Sequence, residues 1–234
     1  MLTKASITRQ VTVEVWSANS YGKVDPMLMW NRFMNARLGS AGAAAQALVE
    51  VVQDANEITG RNATVYQSLI GPPMGRIWVA DMYRSVGELV AVQDQLWADE
   101  GFMAKSLELA ELLDDAPEDI TARIVQVSGE MSAPPDVMSV VTWHGEPRTW
   151  AQTMEWACNM ADAGAQATGW TNVVMAMTQP RPFTVGILSN MKSFDELDAG
   201  TAGGPPAAMM ELMADYPEGA RPVEMESMVA RRIA

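Results

Sequence analysis

A chain of 234 residues can bury one large core or two small domains that share one. Sixteen basic against twenty-nine acidic residues leave a formal net charge of -13, a field that repels phosphate backbones and anionic bilayers, so neither nucleic acid nor membrane is an expected partner. Its hydrophobic content of 48% is that of a globular protein and excludes a disordered one, and a lone cysteine, Cys158, excludes an intrachain disulfide.

No run reaches the eighteen or so apolar residues of a membrane span, and Met1 to Ala5 lacks the apolar stretch of a signal peptide. A cytoplasmic protein is the expectation. Cys158 falls in a helical pattern with no base beside it, and reads as a small packed residue rather than a thiolate nucleophile.

Taken in chain order, Val11 to Trp16 is rich in β-branched residues and predicts a strand. Asp25-Pro26 predicts a helix start, with the helix running from about Met27 to Glu57 and interrupted near Gly39 and Gly42. Thr64 to Ile70 and Gly75 to Met82 predict a hairpin around Gly71-Pro72-Pro73. Ser85 with Glu88 has capping-box spacing and opens a helical pattern through Leu113, and Ile120 to Val127 predicts a fourth strand. Gly129 to Pro135 is the expected linker between a first unit, 1–130, and a second, 136–234.

The order then repeats. Val137 to Trp143 predicts a strand, and Glu146-Pro147 leads into a helix from Arg148 to Ala167 that Gly169 stops. Asn172 to Thr178 and Phe183 to Asn190 predict a second hairpin around Pro180 and Pro182, and Ser193 with Glu196 a second capping box. Gly200 to Pro206 is a glycine-proline interruption, read as a variable loop or a flap over a pocket; Ala207 to Ala214 is helical and Val223 to Arg231 the last strand. The repeat shows in identities as well: Ser85, Glu88 and Leu89 recur 108 positions later as Ser193, Glu196 and Leu197, and Val13 to Trp16 aligns with Val140 to Trp143.

Each half therefore predicts β-α-β-β-α-β, the split βαβ order of ferredoxin-like units, with both helices on one face of a four-stranded antiparallel sheet. Strand alternation, with Val11, Val13 and Val15 towards the helices, places Trp16 and Trp143 on helix-distal faces and His144 on the helix side. Two apolar open faces would be hidden if the sheets pack together. This duplicated order, with Trp16 and Trp143, resembles the dimeric α+β barrel superfamily in a tandem-fused form, an α+β fold. The resemblance implies a ligand space between sheet and helices or at the barrel centre. It leaves open cofactor-free monooxygenase, chlorite dismutase-type haem protein, stress-responsive barrel and non-enzyme alike.

The candidate chemistry is sparse. His144 is the only histidine and ends a strand, where side chains line pocket mouths; it is a candidate acid-base group, as is Glu14 beside Trp16. Arg76 is a candidate partner for Glu14, as is Arg123. Tyr66 and Asn172 are candidate hydrogen-bond donors to a substrate, with Trp16 and Trp143 shaping the site. Each also has an ordinary structural reading as a core or solvent-facing group. Glu224 and Glu226 share a strand face, which a wet surface explains as well as a metal does, and no metal site is assigned. Gly203-Gly204-Pro205-Pro206 lacks every phosphate-loop pattern. One histidine with no haem-binding pattern argues against a haem protein, and no cofactor is assigned. Eight tryptophans and nineteen methionines fit a roomy apolar pocket, a soft core or a subunit interface. Two readings stay open: a binder or enzyme of a small, apolar or aromatic molecule, oxygenase-like and cofactor-free, or a non-catalytic homo-oligomerising scaffold.

Overall fold

The computed structural model describes residues 27–71, 74–131, 133–216 and 225–234. Eight strands and six α-helices form among these residues: β1 Leu28–Asn35, α1 Ala41–Thr59, β2 Thr64–Ile70, β3 Arg76–Tyr83, α2 Val86–Trp97, α3 Glu100–Ala110 and β4 Glu118–Ser128, then β5 Val137–His144, α4 Trp150–Thr168, β6 Thr171–Gln179, β7 Thr184–Met191, α5 Phe194–Thr201, α6 Ala207–Ala214 and β8 Met225–Arg232. The strands pair in the order β1-β3-β2-β8-β5-β7-β6-β4 and close on themselves. Within each half the order is that of a ferredoxin-like sheet, β4-β1-β3-β2 and β6-β7-β5-β8. The two sheets meet edge to edge, β2 with β8 and β4 with β6, both antiparallel. Every edge that a lone sheet would leave open is thereby used.

One expectation about the first half changes. The segment expected to begin a long helix at Met27 is β1, paired along its length with β3 and over most of it with β4. Leu28, Met29 and Met34 carry no β-branch and suit a helix intrinsically, but hydrogen bonds on both sides and burial on both faces outweigh that preference. The helix proper begins at Ala41, and its buried Ala44, Ala45, Leu48, Val51 and Val52 recur at helical spacing. Val11 to Trp16, expected as the first strand, lies outside the described residues, as do Glu14 and Glu224.

The two capping boxes form as expected. Ser85 Oγ accepts from Glu88 N at 3.1 Å, and Glu88 Oε2 accepts from Arg84 N at 2.7 Å. Their counterparts are Glu196 N to Ser193 Oγ at 3.3 Å and Lys192 N to Glu196 Oε2 at 2.8 Å. The helical pattern through Leu113 is two helices rather than one, because Asp99 caps α3 by accepting from Phe102 N. The glycine-proline stretch lies between α5 and α6.

The core has three compartments. One joins the first sheet to α1, α2 and α3, through Leu28, Trp30, Met34, Leu48 and Val52. A second joins the other sheet to α4, through Trp143, Met154, Ala157, Cys158 and Val174. The third is the barrel interior, built from Tyr66, Trp78, Ile124, Met138, Val140 and Met175. Strand β5 shows the division: Met138 and Val140 point inward while Trp143 packs under α4. Trp143 is thus helix-facing, the reverse of its expected side, and His144, sharing parity with Val140, opens on the barrel interior. The parity rule itself holds. What alternation along one strand left undecided was which apolar face meets the helices, since both faces are buried.

Candidate functional site

Three cavities follow from these compartments. Two lie inside the barrel and share Phe33, Ile120, Val140, Met177 and Met228 as a common wall. The first is a mouth of about 470 Å³ carrying Arg76, Glu118, His144, Arg181, Thr184 and Glu226. The second is an apolar chamber of about 330 Å³ at the other end, roofed by Met131 and Ala133–Pro135 of the linker. In its wall Trp78 stacks on Tyr66 at 5.5 Å between centroids and meets Phe33 at 5.2 Å.

The third cavity, about 200 Å³, lies between the first sheet and its helices, among Trp30, Leu48, Val52, Tyr83, Phe102 and Leu109. Trp30 is buried to 9% exposure and meets Tyr83 edge-on, with centroids 6.4 Å apart. Its indole Nε1 is buried without a hydrogen-bond partner among the described residues. Such a donor costs on the order of 1–3 kcal/mol unless something accepts from it.

Beside Trp30 stands a saturated ion cluster. Arg61 donates from Nε to Asp81 at 2.5 Å and from NH1 to Glu88 at 2.9 Å, and also bonds the Met82 carbonyl. Its guanidinium lies 4.1 Å from the centroid of Tyr83. The hydrogen bond to Asp81 holds the Arg61 charge more firmly than in water, so Arg61 is a permanent cation. Burial, and then the Asp81 charge, pushes the Tyr83 phenol far above its ordinary range, so Tyr83 stays neutral. The loop entering this wall is pinned by Asn56, whose side chain bonds both N–H and C=O of Ala63. Among the described residues the cavity therefore offers a largely apolar slot, one buried unsatisfied neutral donor and no free anion.

The second half fills the matching space. Strand register and helix alignment set Met34 against Trp143, and Ala47 against Trp156. Those two indoles meet edge-on at 5.4 Å, and Tyr216 closes on Trp156 at 4.4 Å. One half keeps an opening that its homologue has plugged.

The residues singled out from sequence are dispersed. Arg76 and His144 come together at the barrel mouth, and Trp143 also borders it. There Arg76 Nε donates to Asn35 Oδ1 at 3.2 Å, and His144 Nδ1 lies 3.1 Å from Thr184 Oγ1. Tyr66 lines the chamber instead. Asn172 packs under α4, its Nδ2 donating to Ala161 O at 2.9 Å. Trp16 and Glu14 lie outside the described residues. Arg123 is exposed on β4. Sequence reasoning passed over Trp30, Arg61, Asp81 and Tyr83. The one available signal was Asp81 and Glu88 around the first capping box, a carboxylate pair that a nearby arginine such as Arg61 would answer. Among the described residues no cluster of three or more potential metal ligands forms, and no helix is long and apolar enough to cross a membrane.

No family model and no curated protein matches this chain. Solved structures do. An anthrone oxidase-like protein superposes with TM-score 0.65 at 13% identity, covering 91% of this chain and 93% of its own. A protein of Fusobacterium nucleatum assigned to the monooxygenases gives 0.65 at 6% identity, over 91% and 94% of the two chains. Another so assigned, from Lactobacillus acidophilus, gives 0.60 at 9% identity, over 88% and 94%. Identities this low speak for fold alone. With its two ferredoxin-like sheets joined edge to edge on one polypeptide, the chain has the fold of a dimeric α+β barrel in tandem-fused form.

Proposed function

We propose that the chain binds and oxidises a small aromatic ketone in the helix–sheet cavity of its first half, as a cofactor-independent oxygenase. The observation that carries this reading is the indole N–H of Trp30, buried without a partner among the described residues, on the wall of a largely apolar space. A carbonyl oxygen is the acceptor such a donor calls for, and aromatic walls suit a planar body. The plugging of the matching space in the second half supports selective retention of this one. Structural likeness to an anthrone oxidase-like protein and to two proteins assigned to the monooxygenases agrees with it.

The chemistry asks little of the protein. An aryl ketone with an acidic methylene loses a proton to water at the cavity mouth and becomes an enolate. The hydrogen bond from Trp30 strengthens as charge gathers on that oxygen, which favours the ionised form. The electron-rich carbon then reduces dioxygen inside the apolar slot. Overall, the methylene and dioxygen become a second carbonyl and water. Arg61 is already engaged by Asp81 and Glu88 and acts as a fixed wall charge. His144 and Arg76 belong to the barrel mouth in this reading and take no part in the proton transfer.

Anthrone is a suitable probe. Oxygen uptake matched one-to-one by quinone absorbance is expected, with Trp30→Phe lowering kcat/KM at least tenfold while the thermal midpoint holds. Uptake no faster than in buffer, or unchanged by Trp30→Phe, would overturn the assignment. A second reading, self-association, draws on Val86, Val90 and Trp97, exposed along one face of α2, with Leu107 exposed on α3. Sedimentation of the wild type and Trp97→Glu decides it: a dimer that the variant dissolves supports it.

A further inference from the structure

The chamber inside the barrel is a separate binding site, and we infer that it takes an uncharged, hydroxyl-bearing aromatic molecule. Three asparagines line this apolar space. Asn31 on β1 is 9% exposed, Asn190 is the last but one residue of β7, and Asn62 lies in the loop before β2. None of their side chains is hydrogen-bonded to protein among the described residues, and Asn190 Oδ1 is buried without any partner. A buried acceptor left open in this way calls for a donor, which a ligand hydroxyl supplies.

The aromatic preference comes from the shelf opposite. Phe33, Trp78 and Tyr66 lie in successive contact across β1, β3 and β2, with Trp78 fully buried between its neighbours. Methionines 29, 138 and 175 complete the wall and adapt to a planar guest.

The absence of net charge comes from what else lines the space. Asp81 is the one ionisable carboxylate among the described lining residues, and Arg61 already holds it from the other face of β3. A carboxylate or phosphate guest would enter an apolar chamber with no cation to meet it, a costly transfer. Arg76, Arg181, Glu118 and Glu226 stand at the opposite mouth, and Arg232, which faces Tyr66 across the β2–β8 seam, is already held by Asp136. This site is independent of the oxidation proposed for the helix–sheet cavity, since the two spaces lie on opposite faces of the first sheet.

The test uses the full chain with methyl-labelled methionine and three probes: 2-naphthol, naphthalene and 2-naphthoate. Binding of 2-naphthol should shift the methyl signals of Met138 and Met175 while leaving Met103, in the helix–sheet cavity, unmoved. Naphthalene should bind about tenfold more weakly, as expected for one lost hydrogen bond, and naphthoate not at all. Asn190→Leu should erase the preference for the hydroxyl and leave naphthalene affinity unchanged; Asn31→Leu gives an independent second variant. Equal affinity for all three probes, a preference that survives both variants, or shifts confined to Met103 would overturn the assignment. Trp30→Phe should not alter these signals, which separates failure here from failure of the oxidase reading.

Discussion

Asn35 and His144 are the same position in the two halves of the barrel, the last residue of β1 and of β5. Each is hydrogen-bonded through its side chain to the residue facing it across the sheet, Asn35 to Arg76 and His144 to Thr184. Around them Phe33 answers Thr142 and Glu118 answers Glu226, so the mouth is a pseudo-symmetric ring in which chemistry has diverged and hydrogen bonding has been kept. The lone histidine is most economically a structural bond of this ring.

His144→Ala should therefore cost no more than about 1.5 kcal/mol, the usual net value of one hydrogen bond, and leave anthrone oxidation unaltered. Denaturant unfolding and an oxygen electrode check the two halves of that statement. A collapse of turnover with normal stability would restore His144 as the acid-base group.

Glu88 sets an acid limit. The N–H of Arg84, and after it Arg61, holds its carboxyl below the usual carboxylate range. A group depressed on folding contributes stability in full above its unfolded value and loses it as pH falls through the folded one. Stability of the wild type should therefore decline below about pH 4.5, and Glu88→Gln should flatten part of that decline. Thermal midpoints between pH 3 and 7 provide the measurement; parallel curves would remove Glu88 from the account.

Cys158 lies buried under the second sheet, and burial, followed by Asp162 and Glu155, pushes its thiol up to about 11. The folded protein should resist iodoacetamide at pH 8 and react only at the rate of opening. Because the shift is upward, stability is held below the unfolded thiol value and drains away as pH approaches 11. Fast labelling of native protein would contradict this placement.

Gly71 closes the seam between β2 and β8. Its φ is +111°, and a Cβ there would stand 2.5 Å from the Ser227 carbonyl and 2.9 Å from Met228 Cα. Gly71→Ala should destabilise the chain by about 2–3 kcal/mol, since both strain and backbone collision act on one seam. Chemical denaturation checks this, and Gly42→Ala, which meets nothing within 4 Å, serves as the control.

Much of this architecture was legible in the residues. The paired boxes Ser85-Glu88 and Ser193-Glu196 marked the duplication, and the hairpins carried their own punctuation. Strand β1 was not legible, because Leu28, Trp30 and Met34 meet helices while Met29 and Phe33 meet the barrel interior, so both faces are apolar and no two-residue period appears. The same double burial hid the orientation of Trp143. The helix–sheet cavity was out of reach for a different reason. Trp30 shares the lack of an acceptor with the core Trp143 and differs from it in the open space it lines, a property of its surroundings that no spacing in the chain encodes.

Repeat alignment makes Trp78 of β3 the counterpart of Gly186 of β7, over which the end of the Met175 side chain lies. A homodimer of one such unit would have to place two indoles, or two bare backbones, at those matched points, crowding the axis or hollowing it. Joining both units on one chain frees each to mutate alone, so that Trp78 can stack on Tyr66 in one half while Met175 takes the room over Gly186 in the other. The lopsided interior that results, and the unlike cavities around it, are open only to a fused pair.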